Sequence, residues 1–288
     1  RRAFFESLEE RRLLTASPDF LLNWEMDATL GTVEPNLGTL GAAANGNLLD
    51  GPTLGVQGAF GPGSRAIQFD LGPDHVQTAT ATPLPQSALA DNTYTVSAWV
   101  KVNAFNGERG DVVSIVSATN GHGILIEIGA NGTLRYLHRP SNEIFGGTDI
   151  FAAGVVNVGQ WHQVAAVMDN GAMSLYVDGI LQGTASNTSP ISADSHVIVG
   201  KLKPSPDSSR HFDGAIDDVR ISNSALTAAQ IGNLVVANKA PEGTDNTLTT
   251  EEDSTLEFTS ANFGFSDPLD TPTNNFTGVT ITALPVAG

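Results

Sequence analysis

The stretch Trp161–Gly179, WHQVAAVMDNGAMSLYVDG, is the part of the sequence that decides the fold. Its first half, 161–168, places apolar residues on both faces of a strand, which indicates a central strand covered on both sides. From Met173 onward apolar and polar residues alternate until Asp178-Gly179, a dipeptide typical of tight hairpin turns. The stretch therefore predicts two strands of an antiparallel sheet, the second of which ends in a hairpin turn.

Short strands of the same kind recur along the chain. Residues 94–102 and 124–128 carry apolar side chains at every second position, and 196–200 is a further short strand. Residues that favour turns, chiefly Gly, Asn and Asp, separate these runs, and no helical pattern lies between them. We therefore expect an all-β fold built as an antiparallel β-sandwich.

One short helix is predicted near the end of this β-rich region. Thr227-Ala-Ala-Gln230 has the spacing of a capping box, with Thr227 as the N-cap and Gln230 three positions later. Leu226 and Ile231 flank the cap at the positions of a hydrophobic staple. The helix is expected to end near residue 236.

Composition excludes several classes of protein. The chain has 288 residues, with 31 acidic and 14 basic side chains and a net charge of −17, so it lacks the basic patches that nucleic-acid binding requires. Cysteine is absent, which excludes disulfides, thiolate metal sites and cysteine nucleophiles. No apolar run approaches the roughly 20 residues of a membrane span. This balance fits a secreted or cell-surface β-protein, and we expect the sequence to be a fragment of a longer one.

Three segments follow one another along the chain. Residues 1–16 are charged and amphipathic, residues 17–238 contain the strands described above, and residues 239–288 begin with a linker-like Lys239-Ala-Pro-Glu-Gly. In the last segment Thr, Asp and Asn alternate with apolar residues such as Leu256 and Phe258. This pattern predicts strands of a second β-domain that is only partly present.

Three strings in the central segment resemble one family. They are Ser64–Val76 (SRAIQFDLGPDHV), the hairpin region Gly159–Gly179, and Phe212–Ile221 (FDGAIDDVRI) followed by Ser224-Ala-Leu-Thr227. In this order they resemble the laminin G-like domains of the concanavalin A-like lectin-glucanase class. The resemblance implies a jelly-roll sandwich, a bound calcium ion and a carbohydrate or glycoprotein ligand. Leu71 departs from the family pattern, which usually has Gly there.

Both ends of the chain carry weaker resemblances. Residues 8–14 (LEERRLL) resemble the LEPRxLL-type motif near the start of very large exported bacterial proteins, with Glu10 in place of Pro. Residues 247–288 resemble the start of a cadherin-like (VCBS-type) repeat. Together they imply an exported bacterial surface protein in which the central domain is one part.

Aspartates supply the candidate metal ligands, because calcium prefers carboxylate, carbonyl and water oxygens. Ile216 and Val219 are three positions apart in an otherwise alternating strand, which predicts a β-bulge near Asp217-Asp218. Early and late strands of a jelly roll pair, so aspartates of both can converge. The alternative is that they cap turns and face water. The candidate ligands are Asp27, Asp70, Asp74, Asp213, Asp217 and Asp218.

A candidate ligand-binding surface follows from Tyr136, His138 and Arg139, which lie close together at the end of a predicted strand. Aromatic rings and guanidinium groups suit sugars and carboxylates. The alternative is an ordinary exposed strand end without a ligand.

Catalytic motifs are missing from the sequence. Laminarinase-type hydrolases of this fold carry E-x-D-x-x-E, but Glu25-Met26-Asp27 is followed by Leu30, and Glu127 and Glu143 are isolated in the sequence. No nucleophile elbow or phosphate-binding loop occurs. We therefore expect a non-catalytic, calcium-dependent binding or adhesion module. The alternatives are a glycoside hydrolase acting on polysaccharide and a purely structural spacer.

Overall fold

Two eight-stranded antiparallel sheets pack face to face and enclose the core. The computed structural model describes residues 20–61, 63–79, 84–89, 91–105, 107, 109–117, 122–139, 147–191, 194–202, 210–235 and 258–265. The strands are β1 Phe20–Trp24, β2 Val33–Glu34, β3 Gly46–Leu49, β4 Thr53–Gln57, β5 Arg65–Asp70, β6 His75–Thr78, β7 Thr93–Val102, β8 Gly110–Ser117, β9 His122–Ile128, β10 Leu134–His138, β11 Thr148–Ala152, β12 Trp161–Asp169, β13 Ala172–Val177, β14 Ile180–Ser186, β15 Ser195–Val199 and β16 Asp213–Ser222. The helix α1 spans Ala228–Val235.

The strand order gives the sandwich its jelly-roll character. The first sheet runs β14-β13-β12-β7-β16-β5-β4, with β1 also paired to β16, and the second runs β11-β10-β9-β8-β15-β6-β3-β2. Several neighbours are distant in sequence, as β7 and β16 are, so long crossovers join the two sheets. The predicted antiparallel jelly-roll β-sandwich is confirmed.

Period-two alternation fills the space between the sheets. Alternate residues of β7 from Tyr94 to Val102, and of β9 from Ile124 to Ile128, are buried in the common core, as their patterns predicted. In β12, Val164 points into this core, whereas Ala165 belongs to a second apolar cluster on the opposite side of the strand. The prediction of a central strand covered on both faces is therefore confirmed.

Helix α1 supplies the outer cover of the first sheet. Ile231 is buried in the second apolar cluster, beside Leu226 and Ala165. At its start, the Thr227 backbone N–H donates to Gln230 Oε1 at 2.9 Å, and the Gln230 N–H donates to Thr227 Oγ1 at 3.3 Å. This reciprocal pair is the predicted capping box.

The turn between β13 and β14 is formed by Asp178 and Gly179, as predicted. Both residues have positive φ, 50° and 77°, as a type I′ turn requires. The Asp178 carboxylate accepts hydrogen bonds from His162 Nδ1 at 2.7 Å and from the Gln163 N–H at 2.8 Å. The turn is thus fixed to the neighbouring strand β12 by its own side chain.

Strand β16 contains the predicted bulge. Its pairing with β7 shifts register between Asp217 and Arg220, and Asp218 has φ of 51°. On the other side of β16, residues 213–216 pair with β5 and residues 219–222 pair with β1. The bulge therefore lies where one edge of β16 passes from one neighbouring strand to the other.

The compact unit that contains the sandwich spans Pro18–Val235. The described segment 258–265 belongs to a second unit, and there a 3₁₀ turn, Ser260–Phe263, begins at a capping box between Thr259 and Asn262. Strands were predicted in this segment, but the Thr259 cap favours a helical turn. The predictions for residues 1–16 and for the rest of 239–288 lie outside the described residues. No helix in the described parts of the chain is long and apolar enough to span a membrane.

Candidate functional site

A row of polar and aromatic side chains crosses the outer face of the second sheet. Cross-strand register places Asp111 opposite Glu127, Glu127 opposite Arg135, and Arg135 opposite Phe151. Residues directly opposite one another share a face, so four strands, β8 to β11, contribute one residue each. We call these four residues, together with Arg109, Asp149 and Arg210, the outer-face row.

Glu127 is the centre of the outer-face row. Its Oε1 accepts hydrogen bonds from Arg109 Nη1 and Arg135 Nη1, each at 3.1 Å, and Oε2 is bonded by Arg210 Nη2. Arg135 Nε also donates to Asp149 Oδ1 at 2.6 Å. Glu127, which is isolated in the sequence, is therefore the shared partner of three guanidinium groups.

Asp111 lies beside this carboxylate and has no exposed surface. Burial raises the pKa of Asp111 to about 8, and the charge of Glu127 adds to the effect, whereas Arg210 opposes it. Neither carboxyl oxygen of Asp111 has a hydrogen-bond partner, although Arg210 Nε lies 3.3 Å from Oδ2. Burial therefore favours the protonated form of Asp111.

An open pocket of about 280 Å³ adjoins the outer-face row. Ligand pockets have volumes of roughly 300–1,000 Å³, so this pocket lies at the small end of that range. Phe151 forms one wall with 54% of its surface exposed, and the Arg135 guanidinium carbon lies 5.5 Å from the centre of its ring. The lining residues are Gly107, Arg109, Glu127, Gly129, Ala130, Asn131, Thr133, Arg135 and Phe151.

A second cavity, near Phe105 and Phe212, has a volume of only about 30 Å³. That volume holds about one water molecule. It is too small for an organic ligand, so the pocket beside Phe151 is the better candidate.

The predicted ligand surface of Tyr136, His138 and Arg139 requires correction. Tyr136 and His138 are completely buried, and the Tyr94 hydroxyl bonds to both, 2.8 Å from Tyr136 Oη and 2.7 Å from His138 Nδ1. His138 Nε2 is bonded to the Ser189 carbonyl at 2.7 Å. Arg139 is half-buried. Leu134, Tyr136 and His138 occupy every second position of β10 and therefore share one face of the strand. Because Leu134 is apolar, this pattern could have predicted that Tyr136 and His138 are buried beside it.

The predicted metal ligands divide into separate groups, the first of which lies at the β16 bulge. Asp217 Oδ2 accepts hydrogen bonds from the Ala59 N–H at 2.8 Å and from Ser64 Oγ at 3.4 Å. Burial raises the pKa of Asp217 to about 8, and the negative charges of Asp218 and Asp27 add to this shift. Asp27 accepts a hydrogen bond from the Arg65 N–H at 3.1 Å.

Glu34, which sequence reasoning missed, belongs to this group. It is 2% exposed, and its Oε1 accepts a hydrogen bond from the Met26 N–H at 2.8 Å, whereas Oε2 is buried without a partner. Burial raises the pKa of Glu34 to about 7, and the nearby charges of Asp27 and Glu25 add to it. We call Asp27, Glu34 and Asp217 the Glu34 cluster.

A second group lies on the loop between β5 and β6. Asp70 Oδ1 accepts a hydrogen bond from the Gly72 N–H at 3.2 Å, and Asp74 Oδ1 is buried without a partner. Burial and the charge of Asp70 raise the pKa of Asp74 to about 6. Asp213 lies opposite Asp70 in the β5–β16 pairing and accepts a hydrogen bond from Asn103 Nδ2 at 3.1 Å. The early and late strands do pair, but the six aspartates do not form one site.

The structure argues against Asp218 as a metal ligand. Its Oδ1 lies 2.7 Å from Arg220 Nη2, so a guanidinium group already balances this buried carboxylate. The bulge turns Asp217 and Asp218 toward different partners, and only Asp217 joins the Glu34 cluster.

The donor chemistry of the Glu34 cluster suits calcium. Its donors are all oxygens, Glu34 and Asp217 are buried whereas Asp27 is exposed, and Glu34 Oε2 lacks a partner. No three His, Cys, Asp or Glu side chains of the described residues are grouped closely enough to hold a metal by themselves. Backbone carbonyls and water would have to complete the shell, as they commonly do for calcium.

Comparison with known proteins agrees with the fold. Two solved structures of toxin binding domains are similar to this chain. One is the ligand binding domain of botulinum neurotoxin serotype D in complex with N-acetylneuraminic acid, with 13% identity and a TM-score of 0.58 over 76% of this chain and 51% of that one. The other is the binding domain of Paraclostridial Mosquitocidal Protein 1, with 16% identity and a TM-score of 0.57 over 76% of this chain and 52% of that one. The chain thus spans about half the length of these toxin domains.

Domain 4 of a GH43 extracellular arabinanase from Geobacillus stearothermophilus, in complex with arabinotriose, is also similar. It has 18% identity and a TM-score of 0.54, with 76% of this chain and 99% of that one covered. No curated protein matches the sequence. Residues 74–232, more than half of the 288, match the family model described as the concanavalin A-like lectin/glucanases superfamily. The chain belongs to the concanavalin A-like lectin/glucanase superfamily.

Proposed function

We propose that this chain is a carbohydrate-binding module whose sugar site is the pocket beside Phe151. The exposed aromatic ring at the edge of a hydrogen-bonding pocket carries this proposal. An apolar ring can stack on the C–H face of a sugar, while Arg135, Asn131 and Thr133 line the same pocket and can bond its hydroxyl groups. Similar solved structures support the choice of ligand class, since two of them contain N-acetylneuraminic acid and arabinotriose.

Titration of the full chain with saccharides selected on a glycan array tests this proposal. Phe151→Ala removes the stacking surface, and we expect it to weaken binding by at least about tenfold, as the loss of an aromatic anchor commonly does. The control is Leu30→Ala, because Leu30 is 81% exposed and does not line the pocket. Equal affinities of Phe151→Ala and the unmutated chain would place the sugar elsewhere.

The module is proposed to be non-catalytic. Asp111 and Glu127 are neighbours, which is the one feature that favours a glycoside hydrolase. Both carboxyl groups are at most 1% exposed, however. They therefore cannot flank the glycosidic bond of a bound sugar as a hydrolase requires. The expected result is no release of reducing ends from bound oligosaccharides. Release that disappears in Asp111→Asn would establish the hydrolase instead.

Calcium is proposed to stabilise the domain at the Glu34 cluster, where at most two of the carboxylates of Glu34, Asp217 and Asp27 would bind it directly and carbonyl and water oxygens would supply the remaining ligands. The partnerless Glu34 Oε2 supports this position, as do the repulsion between Glu34 and Asp27 and that between Asp217 and Asp27. The bound ion would hold the bulge of β16 against the segment that follows β1. Its role in this proposal is structural, because the cluster contributes no residue to the pocket beside Phe151.

We also propose that the module belongs to an exported bacterial surface protein and meets carbohydrate or glycoprotein there. The LEERRLL string and the cadherin-like pattern of residues 247–288 support this context. Fractionation of the source cells, followed by detection with an antibody against the sandwich, is expected to find the protein outside the cytoplasm. Exclusive recovery from the cytoplasm would overturn this part of the proposal.

A further inference from the structure

The charges around the pocket are unequal. Three guanidinium groups, those of Arg109, Arg135 and Arg210, face the carboxylates of Glu127 and Asp149. Burial favours the protonated form of the neighbouring Asp111 by raising its pKa to about 8. The outer-face row thus concentrates three guanidinium groups against two carboxylates and this buried carboxyl, although the chain as a whole has a net charge of −17.

The three guanidinium groups differ in how firmly they are held. Arg135 is buried between Glu127 and Asp149, and Arg210 lies between Glu127 and Asp111. Arg109 has a side chain that is 52% exposed, and its only ion pair among the described residues is to Glu127 Oε1, which it shares with Arg135. Arg109 is half-exposed and shares its acceptor oxygen with Arg135, so it can change partner without depriving the buried Glu127 of its other ion pairs.

Glu127 would not be left unpaired by such a change. If Arg109 turned toward a ligand, the carboxylate would keep Arg135 on one oxygen and Arg210 on the other. Arg109 also lines the pocket that Phe151 borders. A guanidinium group has a planar fork of N–H donors that matches a carboxylate or a sulfate.

On this basis, and resting on the proposed carbohydrate site, we propose that the pocket selects acidic saccharides and that Arg109 binds the carboxylate or sulfate group of the sugar. Phe151 would supply stacking that is common to neutral and acidic sugars. Arg109 would supply the discrimination between them, because an anionic group pairs with it and a hydroxyl group gains much less.

The test uses the full chain on an array of uronic-acid, sialylated and sulfated oligosaccharides, each printed beside an uncharged counterpart of the same backbone. Affinities of the positive pairs are then measured by calorimetry. We expect the acidic member to bind at least about tenfold more tightly than its counterpart. Arg109→Gln is expected to remove this difference, with the affinity of the acidic member falling to that of its uncharged counterpart.

Two further variants separate the possible causes. Arg109→Lys keeps the charge but loses the fork, so we expect intermediate affinity. Arg65→Gln, at an exposed arginine of β5 in the opposite sheet, is the matched control and should bind as the unmutated chain does.

The results distinguish this inference from the function on which it rests. Equal binding of acidic and uncharged members that is lost in Phe151→Ala would overturn the selectivity and leave the carbohydrate site intact. Unchanged acidic selectivity in Arg109→Gln would likewise overturn the role of Arg109. Absence of binding to every saccharide on the array would overturn both the inference and the proposed function.

Discussion

At the scale of single residues, the core contains a hydrogen-bonded chain that joins the two sheets. Tyr94 lies on β7 of the first sheet, whereas Tyr136 and His138 lie on β10 of the second. His138 Nε2–H donates to the Ser189 carbonyl, so Nδ1 accepts from the Tyr94 hydroxyl, whose oxygen in turn accepts from Tyr136. Each polar group thus has a partner in a fully buried setting, which is why these three residues can occupy the core.

Tyr94 is predicted to be the most sensitive member of this chain. Tyr94→Phe leaves both His138 Nδ1 and the Tyr136 hydroxyl without a partner, so we expect a loss of about 2–4 kcal/mol in the free energy of unfolding. Tyr136→Phe removes one donor and should cost about 1 kcal/mol. Denaturant unfolding measures both values, with Tyr176→Phe as the control outside the chain. Equal losses in Tyr94→Phe and Tyr176→Phe would contradict the central place of Tyr94 in this hydrogen-bonded chain.

At the scale of elements, strands were easier to predict than the contacts between them. The pattern at Ile216 and Val219 predicted the bulge of β16, and the apolar run after Trp161 predicted a strand covered on both faces. Both predictions depend only on local periodicity. The outer-face row depends on the register of four strands, and Asp111 and Phe151 come together only through that register. One sequence without its pairing partners does not specify register, so Glu127 looked isolated.

The Glu34 cluster makes a prediction about how β2 and β16 are joined. Calcium is expected to raise the thermal unfolding midpoint of the full chain. At a hundredfold excess over its dissociation constant, it should add about 3 kcal/mol to the free energy of unfolding. Glu34→Gln and Asp217→Asn should abolish this rise, and in chelator neither should be markedly less stable than the unmutated chain, because burial already favours the neutral form of both carboxyl groups.

Asp74→Asn is the matched control for this prediction. It neutralises a buried carboxyl of the second acidic group and should leave the calcium effect intact. Loss of the effect in Asp74→Asn alone would assign calcium to the loop between β5 and β6. A calcium-independent midpoint in the unmutated chain would remove the metal from the account.

At the scale of the whole molecule, the buried carboxyl groups predict an unusual dependence of stability on pH. Folding raises the pKa values of Asp111 and Asp217 to about 8 and that of Glu34 to about 7. The unfolded chain releases these protons near pH 4, so in chelator the folded state binds more protons and stability must fall as pH rises from 6.5 to 8. Each group that keeps its proton contributes about 1 kcal/mol per pH unit.

The histidines do not obscure this pH window. Burial lowers the pKa values of His75, His138 and His196, so their effect is a loss of stability as pH falls below about 6.5. Urea unfolding at several pH values in chelator and in calcium measures the dependence. Calcium should reduce or reverse the fall, because it binds the deprotonated carboxylates of the Glu34 cluster. Stability that rises between pH 6.5 and 8 in chelator would contradict the account of the buried carboxyls.

The central claim is that a saccharide binds the outer face of the second sheet, beside Phe151. The most direct measurement is an NMR titration of the isotopically labelled full chain with the tightest saccharide from the array. We expect the largest shift changes at Phe151, Arg135, Asn131 and Thr133, which lie on or between β9, β10 and β11. Shift changes confined to the exposed hairpin residues Ile180 and Leu181, or to the Glu34 cluster, would contradict the claim.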